Sequence, residues 1–155
     1  MVEPIRKTID VKCDPATAFN LFVNHVGDWW PLATNSVSGM SGKVARQVTI
    51  EPRIGGKMYE TMHDGTLADW AVVKTFEQDK NIVLGWYVMS PPEKATEVDI
   101  TFASIGDGTR VTLVHSGWEV LAEDAQQRRD SYNNGWVNVF ETAFANACKD
   151  AIAAQ

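Results

Sequence analysis

Apolar residues recur every three or four positions in the last part of the chain, which predicts a long amphipathic helix. The predicted helix runs from Ser131, read as its N-cap, to Ala154, and no proline interrupts it. Its apolar stripe is made of Tyr132, Trp136, Val139, Phe140, Ala143, Ala147 and Ala151. Small residues let a helix lie close to a surface. We therefore expect the alanine end to pack tightly and the aromatic end to fill or line a wider gap.

Earlier in the chain the apolar period changes to two, the period of half-buried β-strands. A first strand is predicted at Ile5–Val11, followed by a short helix capped by Asp14-Pro15. Residues 28–32 are predicted to form another helical turn or a structured loop, and the Ser/Gly-rich residues 35–42 a flexible loop. Six hairpin-connected strands are predicted at 44–50, 57–62, 67–77, 82–89, 98–102 and 110–117.

This order of elements predicts an α+β fold in a single domain covering residues 1–155. The predicted antiparallel sheet of about seven strands has an apolar face, and the last helix is the only element large enough to cover it. A curved sheet wrapped around the C-terminal helix, with two short helices after the first strand, is the simplest packing.

Composition narrows the possible partners. The chain has 155 residues, 45% of them hydrophobic, and a formal net charge of −6. The acidic balance argues against nucleic acid or an anionic membrane surface as the main partner. No apolar run reaches the length of a membrane span, and residues 2–6 lack the apolar region of a signal peptide, so we expect none. We expect a cytoplasmic protein with reduced thiols at Cys13 and Cys148, although a disulfide remains an alternative.

Motifs for catalysis and cofactor binding are missing. The sequence has no GxSxG, no P-loop and no GxGxxG. His25, His63 and His115 are far apart and lack the spacing of a metal site. We therefore expect no cofactor and no metal, and we assign no catalytic residue. These gaps favour a protein that is not an enzyme.

The order of elements and several short motifs resemble the helix-grip superfamily of START, polyketide-cyclase and birch-pollen-allergen proteins (SRPBCC). Within it, they resemble bacterial relatives of the activator of the heat-shock-protein-90 ATPase. The motifs are Asp14-Pro15, Asp28-Trp29-Trp30, Asp64-Gly65, Gly135-Trp136 and residues 51–56, 82–86 and 109–118. Trp70 departs from the family pattern, which often has a small residue there, and would change either a pocket or an outer surface.

The resemblance implies that a small hydrophobic molecule, lipid-like or aromatic, binds between sheet and helix, and the lack of a nucleophile–base motif favours binding without covalent chemistry. A cyclase, aromatase or dehydratase using the same cavity is the second hypothesis. A chaperone-linked or regulatory interaction module is the third, although in the family that role belongs to longer proteins with an additional domain. Both a monomer and a homodimer fit the sequence.

Two polar residues on predicted inward faces are candidates for contact with such a molecule. His115 alternates with Val111 and Leu113, and is either a ligand or acid–base group or, as we favour, a satisfied core histidine. Glu60 shares a face with Met58, so it points inward unless a bulge or register shift brings it to the surface. A buried carboxylate needs a partner, which could be a polar ligand group.

The six tryptophans of the chain are the main apolar candidates. They either line a pocket or form a solid core, and the resemblance favours a pocket. The predicted ligand-binding residues are Trp29, Trp30, Met58, Glu60, Trp86, His115, Trp118, Tyr132, Trp136 and Phe140.

Overall fold

One curled antiparallel sheet packs around a C-terminal helix in the computed structural model, which describes residues 2–153 and confirms the helix-grip fold. The seven strands have the order β1-β7-β6-β5-β4-β3-β2, so each hairpin connects neighbours and only the β1–β7 pair closes over a long distance. The strands are β1 (Ile5–Val11), β2 (Gln47–Ile50), β3 (Lys57–Thr61), β4 (Leu67–Glu77), β5 (Asn81–Trp86), β6 (Thr96–Ile105) and β7 (Gly108–Ser116).

Three short helices lie between β1 and β2, and a long one ends the chain. The short helices are α1 (Pro15–Asn24), α2 (Val26–Trp29) and α3 (Val37–Met40). Asp14 caps α1 by accepting a hydrogen bond from the Thr17 amide at 2.8 Å. The C-terminal helix joins α4 (Ala125–Trp136), a π-helical segment (Val137–Phe144) and α5 (Ala145–Ala153). Single 3₁₀ segments, Pro92–Lys94 and Trp118–Asp124, precede β6 and α4.

The predicted start of the last helix is wrong. The α-helix begins at Ala125, after a 3₁₀ segment, so Ser131 lies in its interior and caps nothing. Residues 126–131 are mostly polar and exposed, and their helix therefore has no apolar period to reveal it. The predicted end, Ala154, lies outside the described residues.

The π-helical segment also corrects the predicted alanine stripe. Phe144 and Cys148 are fully buried, whereas Ala143 and Ala147 are half-buried beside a surface groove. In the segment the Thr142 hydroxyl donates to the Val137 carbonyl five residues earlier, at 3.0 Å. A wider turn delays the buried face by about one residue. The core positions thus follow a spacing of four: 136, 140, 144 and 148.

The two cysteines meet where α5 crosses the end of β1. Cys13 and Cys148 are both buried free thiols. Burial raises the pKa of each thiol, since desolvation disfavours the thiolate.

Candidate functional site

A cavity of about 420 Å³ lies between the sheet and the aromatic end of the C-terminal helix. This volume is within the usual range for small-molecule sites. One wall comes from β4 and β5, a second from α4 and the start of the π-helical segment, and a third from the connection between α2 and α3. The principal side chains of these walls are Trp30, Trp70, Trp86, Arg128, Tyr132 and Trp136.

Four tryptophans of the lining form one contiguous group, here called the tryptophan cluster: Trp30, Trp70, Trp86 and Trp136. The ring centroids of Trp30 and Trp70 are 5.2 Å apart, and those of Trp86 and Trp136 are 5.5 Å apart. A third pair, Trp70 and Trp86, joins the two halves at 5.9 Å. All of these pairs are tilted, within the centroid distances typical of favourable aromatic contact. The cluster therefore presents a broad, rigid aromatic surface to the cavity.

A β-bulge turns Trp70 towards the cavity. Across the β3–β4 pair, Met58 is opposite Ala71 but Tyr59 is opposite Asp69, so Trp70 is the extra residue on β4. Trp70 and Ala71 are consecutive residues and both are buried, which strict alternation does not allow. Of the two positions left open for Trp70, pocket or outer surface, the structure shows the pocket.

Glu60 points inward and holds the wall that contains α3. Its two carboxylate oxygens accept the backbone N–H groups of Val37 at 2.7 Å and Ser38 at 2.9 Å. The bulge lies on β4, so β3 keeps its alternation and Glu60 remains on the same face as Met58. Residues 35–42, predicted to be a flexible loop, therefore contain the helical turn α3, which the buried Glu60 carboxylate holds in place.

Trp30 and Asn35 connect this wall to the rest of the cavity. The Trp30 indole N–H donates to the Asn35 carbonyl at 2.6 Å. The Asn35 side-chain oxygen in turn accepts from the Asn138 amide on the C-terminal helix at 2.7 Å. Hydrogen bonds thus connect this wall to the tryptophan cluster on one side and to the C-terminal helix on the other.

His115 lies behind the cavity wall, fully buried, with both ring nitrogens bonded. Its Nδ1 accepts the indole N–H of Trp136 at 3.0 Å, and its Nε2 is 2.8 Å from the Thr96 hydroxyl. An indole nitrogen is only a donor. His115 therefore carries its proton on Nε2 and donates it to Thr96, whose hydroxyl donates to the Trp86 carbonyl at 3.3 Å.

Burial lowers the pKa of His115 to about 3, because the charged imidazolium loses its hydration. The neutral ring lies 4.1 Å from Trp118, measured between ring centroids. The indole N–H of Trp118 donates to the His115 carbonyl at 3.0 Å. His115 is thus a neutral connector that fixes two tryptophans, one of which lines the cavity.

The structure brings four of the predicted ligand-binding residues to the cavity lining: Trp30, Trp86, Tyr132 and Trp136. The other six lie elsewhere: Trp29, Met58, Glu60, His115, Trp118 and Phe140. Trp29 is half-buried, donates to the Leu21 carbonyl at 2.9 Å and borders the surface groove on α5. Met58, Trp118 and Phe140 are fully buried core residues.

Several lining residues were missing from the prediction. The sequence pattern does not reveal the bulge, so it leaves open whether Trp70 faces a pocket or the outer surface. Arg128 lies before the predicted start of the last helix at Ser131, in a stretch for which no element is predicted. Met40 and Met89 form part of the lining and remain 71% and 65% exposed, so the cavity opens to the surface beside them. Met89 has a φ of 59°, an uncommon value for a non-glycine residue.

Residues 2–153 contain neither a candidate metal site nor a helix that could cross a membrane. No group of three His, Cys, Asp or Glu side chains there is placed to hold a metal ion. In the same residues, no helix combines the length and apolar character needed to cross a membrane.

The curled sheet, the long helix and the cavity between them define a helix-grip protein of the SRPBCC class. The family described as Activator of Hsp90 ATPase homolog 1-like protein matches residues 12–147. The chain belongs to this family. No match is found among the curated proteins.

Solved structures share the fold along nearly the whole chain. The anthrahydroquino-gamma-pyrone synthase Txn09 is 24% identical with a TM-score of 0.67, and the match covers 94% of this chain and 96% of that chain. CalC, a self-sacrificing resistance protein from Micromonospora echinospora, is 20% identical with a TM-score of 0.62, covering 96% and 95%. The Aha1 dimer from Colwellia psychrerythraea is 15% identical with a TM-score of 0.58, covering 84% and 88%. At these identities the likeness shows the fold.

Proposed function

We propose that this protein binds a small hydrophobic molecule in the cavity between β4, β5 and the C-terminal helix, without covalent chemistry. The observation that carries the proposal is the cavity itself, about 420 Å³ in volume and walled by the tryptophan cluster. A solid core would have filled this space, since interiors pack with few voids larger than a water molecule. Large aromatic side chains facing an open cavity are typical of sites for apolar ligands.

The chemistry of the lining favours binding over a cyclase-type reaction. The ionisable side chains of the lining are Arg128 and Tyr132, and no carboxylate or imidazole is among the lining residues. Glu60 is committed to two backbone N–H groups, and both nitrogens of His115 are bonded inside the protein. Proton transfer needs a group within hydrogen-bond reach of the substrate. Neither residue has such access to the cavity in this arrangement.

Binding is tested with N-phenyl-1-naphthylamine, an uncharged aromatic fluorophore that brightens in apolar sites. We expect its emission to rise on addition of the protein and to saturate at one equivalent. A ligand that binds only the folded state stabilises it by mass action, so a saturating concentration of the fluorophore should raise the melting temperature by several degrees. No emission change and no thermal shift would remove the proposal.

Gly135 allows the cavity to be filled selectively. It lies on the lining, and a Cβ added there would meet only the Asn35 side-chain nitrogen at 3.6 Å, an ordinary contact. We expect Gly135→Leu to weaken fluorophore binding about tenfold or more. The helix itself should gain about 1 kcal/mol from the loss of glycine.

Two controls separate cavity filling from a change in the helix. Gly135→Ala gives the helix the same benefit but adds little volume, so it should bind the fluorophore normally. Asn134→Leu puts the same side chain on the exposed face one residue earlier. If Gly135→Leu binds the fluorophore as tightly as Gly135→Ala does, the fluorophore binds somewhere other than this cavity.

A further inference from the structure

Two tryptophans of the cluster have buried indole N–H groups without an acceptor. Within the described residues, Nε1 of Trp70 and Nε1 of Trp86 have no hydrogen-bond partner. Trp70 is 1% exposed and Trp86 is 5% exposed, so bulk water does not satisfy either group. Native proteins rarely leave a buried donor unpaired, because its lost hydration is not replaced. Both residues line the cavity.

The contrast with the other tryptophans shows that the missing acceptors are not a general feature of the aromatic core. Each of the other four indole N–H groups has an acceptor within the protein. They are Trp29 on the Leu21 carbonyl, Trp30 on the Asn35 carbonyl, Trp118 on the His115 carbonyl and Trp136 on His115 Nδ1. The unsatisfied pair therefore coincides with the two strand tryptophans of the cavity wall.

Arg128 adds a positive charge to the same cavity. Among the described residues it is the only charged member of the lining, in a protein whose formal net charge is −6. Its guanidinium makes only long contacts, 3.4 Å to the Val88 carbonyl and 3.5 Å to the Ser90 hydroxyl. In the described part of the chain it takes part in no ion pair, whereas the adjacent Arg129 pairs with Asp130 at 3.4 Å. The charge of Arg128 is available to a ligand.

We propose that the molecule bound in this cavity is an aromatic acid that also carries oxygen acceptors. Its flat ring system packs on the tryptophan cluster, a carbonyl oxygen on that ring system accepts hydrogen bonds from Trp70 and Trp86, and its acid group pairs with Arg128. This rests on the proposed function and adds the chemical class of the ligand. An uncharged hydrocarbon would fill the cavity but leave all three donors unsatisfied. A fatty acid would use Arg128 but leave the two indole N–H groups without acceptors.

The test compares three ligands that share one tricyclic skeleton: xanthene, xanthone and xanthone-2-carboxylate. Xanthone adds a carbonyl acceptor to the skeleton, and the carboxylate adds a negative charge to xanthone. Affinities are measured by calorimetry and by quenching of tryptophan emission. We expect xanthone to bind about tenfold more tightly than xanthene, and the carboxylate about tenfold more tightly than xanthone. The second gain should shrink at high ionic strength, because the ion pair is screened.

Two variants assign each gain to its donors. Trp70→Phe keeps an aromatic ring but removes the N–H, so it should reduce the xanthone-to-xanthene ratio severalfold. Arg128→Gln should remove the gain of the carboxylate over xanthone. Arg129→Gln is the matched control, because that side chain bonds to Asp130 and to the Glu3 carbonyl away from the cavity. It should leave all three affinities unchanged.

The outcomes separate this inference from the proposed function. Equal affinities for the three compounds would overturn the inference while leaving a hydrophobic binding site. Failure of all three, together with N-phenyl-1-naphthylamine, would overturn the proposed function itself. Unfolding curves are recorded for every variant, and Trp86→Phe replaces Trp70→Phe if that variant does not fold. Unchanged ratios in a folded variant would exclude its residue as a donor.

Discussion

Replacing Glu60 by alanine is expected to lower the free energy of unfolding by about 4 kcal/mol. The carboxylate accepts the backbone N–H groups of Val37 and Ser38, and its loss leaves both without a partner at about 1–3 kcal/mol each. The fully buried side chain also leaves a cavity. For a chain of this size, the melting temperature should fall by about 8–16 °C. Urea unfolding followed by circular dichroism measures the change.

The milder Glu60→Gln should cost about 2 kcal/mol, because its amide nitrogen cannot accept from the second N–H. Glu77→Ala, at the exposed end of β4, is the control and should change stability by less than about 0.5 kcal/mol. Glu60→Gln should also weaken binding of N-phenyl-1-naphthylamine, since the α3 wall loses part of its anchor. A urea midpoint for Glu60→Ala equal to that of the parent would show that the carboxylate does not hold this wall.

Acidification from pH 7 to pH 5 is expected to destabilise the protein by about 2 kcal/mol through His115 alone. Burial lowers the folded-state pKa of His115 to about 3, below the ordinary 6.5 of the unfolded chain. The unfolded state therefore binds the extra proton first. The stability contribution is complete above pH 6.5 and decreases as pH falls towards 3, by about 1.4 kcal/mol per unit.

Three aspartates with lowered pKa values act in a lower pH range. The pKa values of Asp10, Asp14 and Asp64 are lowered from 3.8 by their hydrogen-bond partners, so their contributions are lost only at more acidic pH. Measuring the free energy of unfolding between pH 4.5 and 7 thus follows the contribution of His115 above the range of these three carboxylates. His115→Gln should remove most of this slope, whereas His25→Gln, on an exposed residue, should retain it. A parent protein with no slope in this range would contradict a neutral, buried His115.

Alternation along the strands predicted which side chains face inward. Glu60 alternates with Met58, and His115 with Leu113, and all four residues are fully buried. Side-chain direction follows directly from the two-residue period of a strand, wherever that period is unbroken. The sequence left open whether a bulge displaces Glu60. The bulge exists, but it lies on the opposing strand.

The predictions made from regular periods were wrong where the backbone departs from regular strand or α-helix geometry. The bulge at Trp70 put two consecutive residues inside, and the π-helical segment moved the buried face from Ala143 to Phe144. The strict spacing of four through Trp136, Phe140, Phe144 and Cys148 is the one sequence signal of the wider turn. A regular α-helix would turn that row steadily away from the core, because it has 3.6 residues per turn.

The sequence alone determined an α+β fold with a curved sheet around the last helix, the inward faces of the strands and an aromatic region between sheet and helix, because these follow from local periodicity and the order of elements. Only the tertiary structure decided that the aromatic region encloses a cavity, that Glu60 and His115 lie behind its walls, and that Trp70 and Arg128 belong to its lining. Each of these depends on contacts between residues distant in the chain. A bulge, a π-turn and a loop held by a buried carboxylate set those contacts, and of the three only the π-turn leaves a periodic pattern in the sequence.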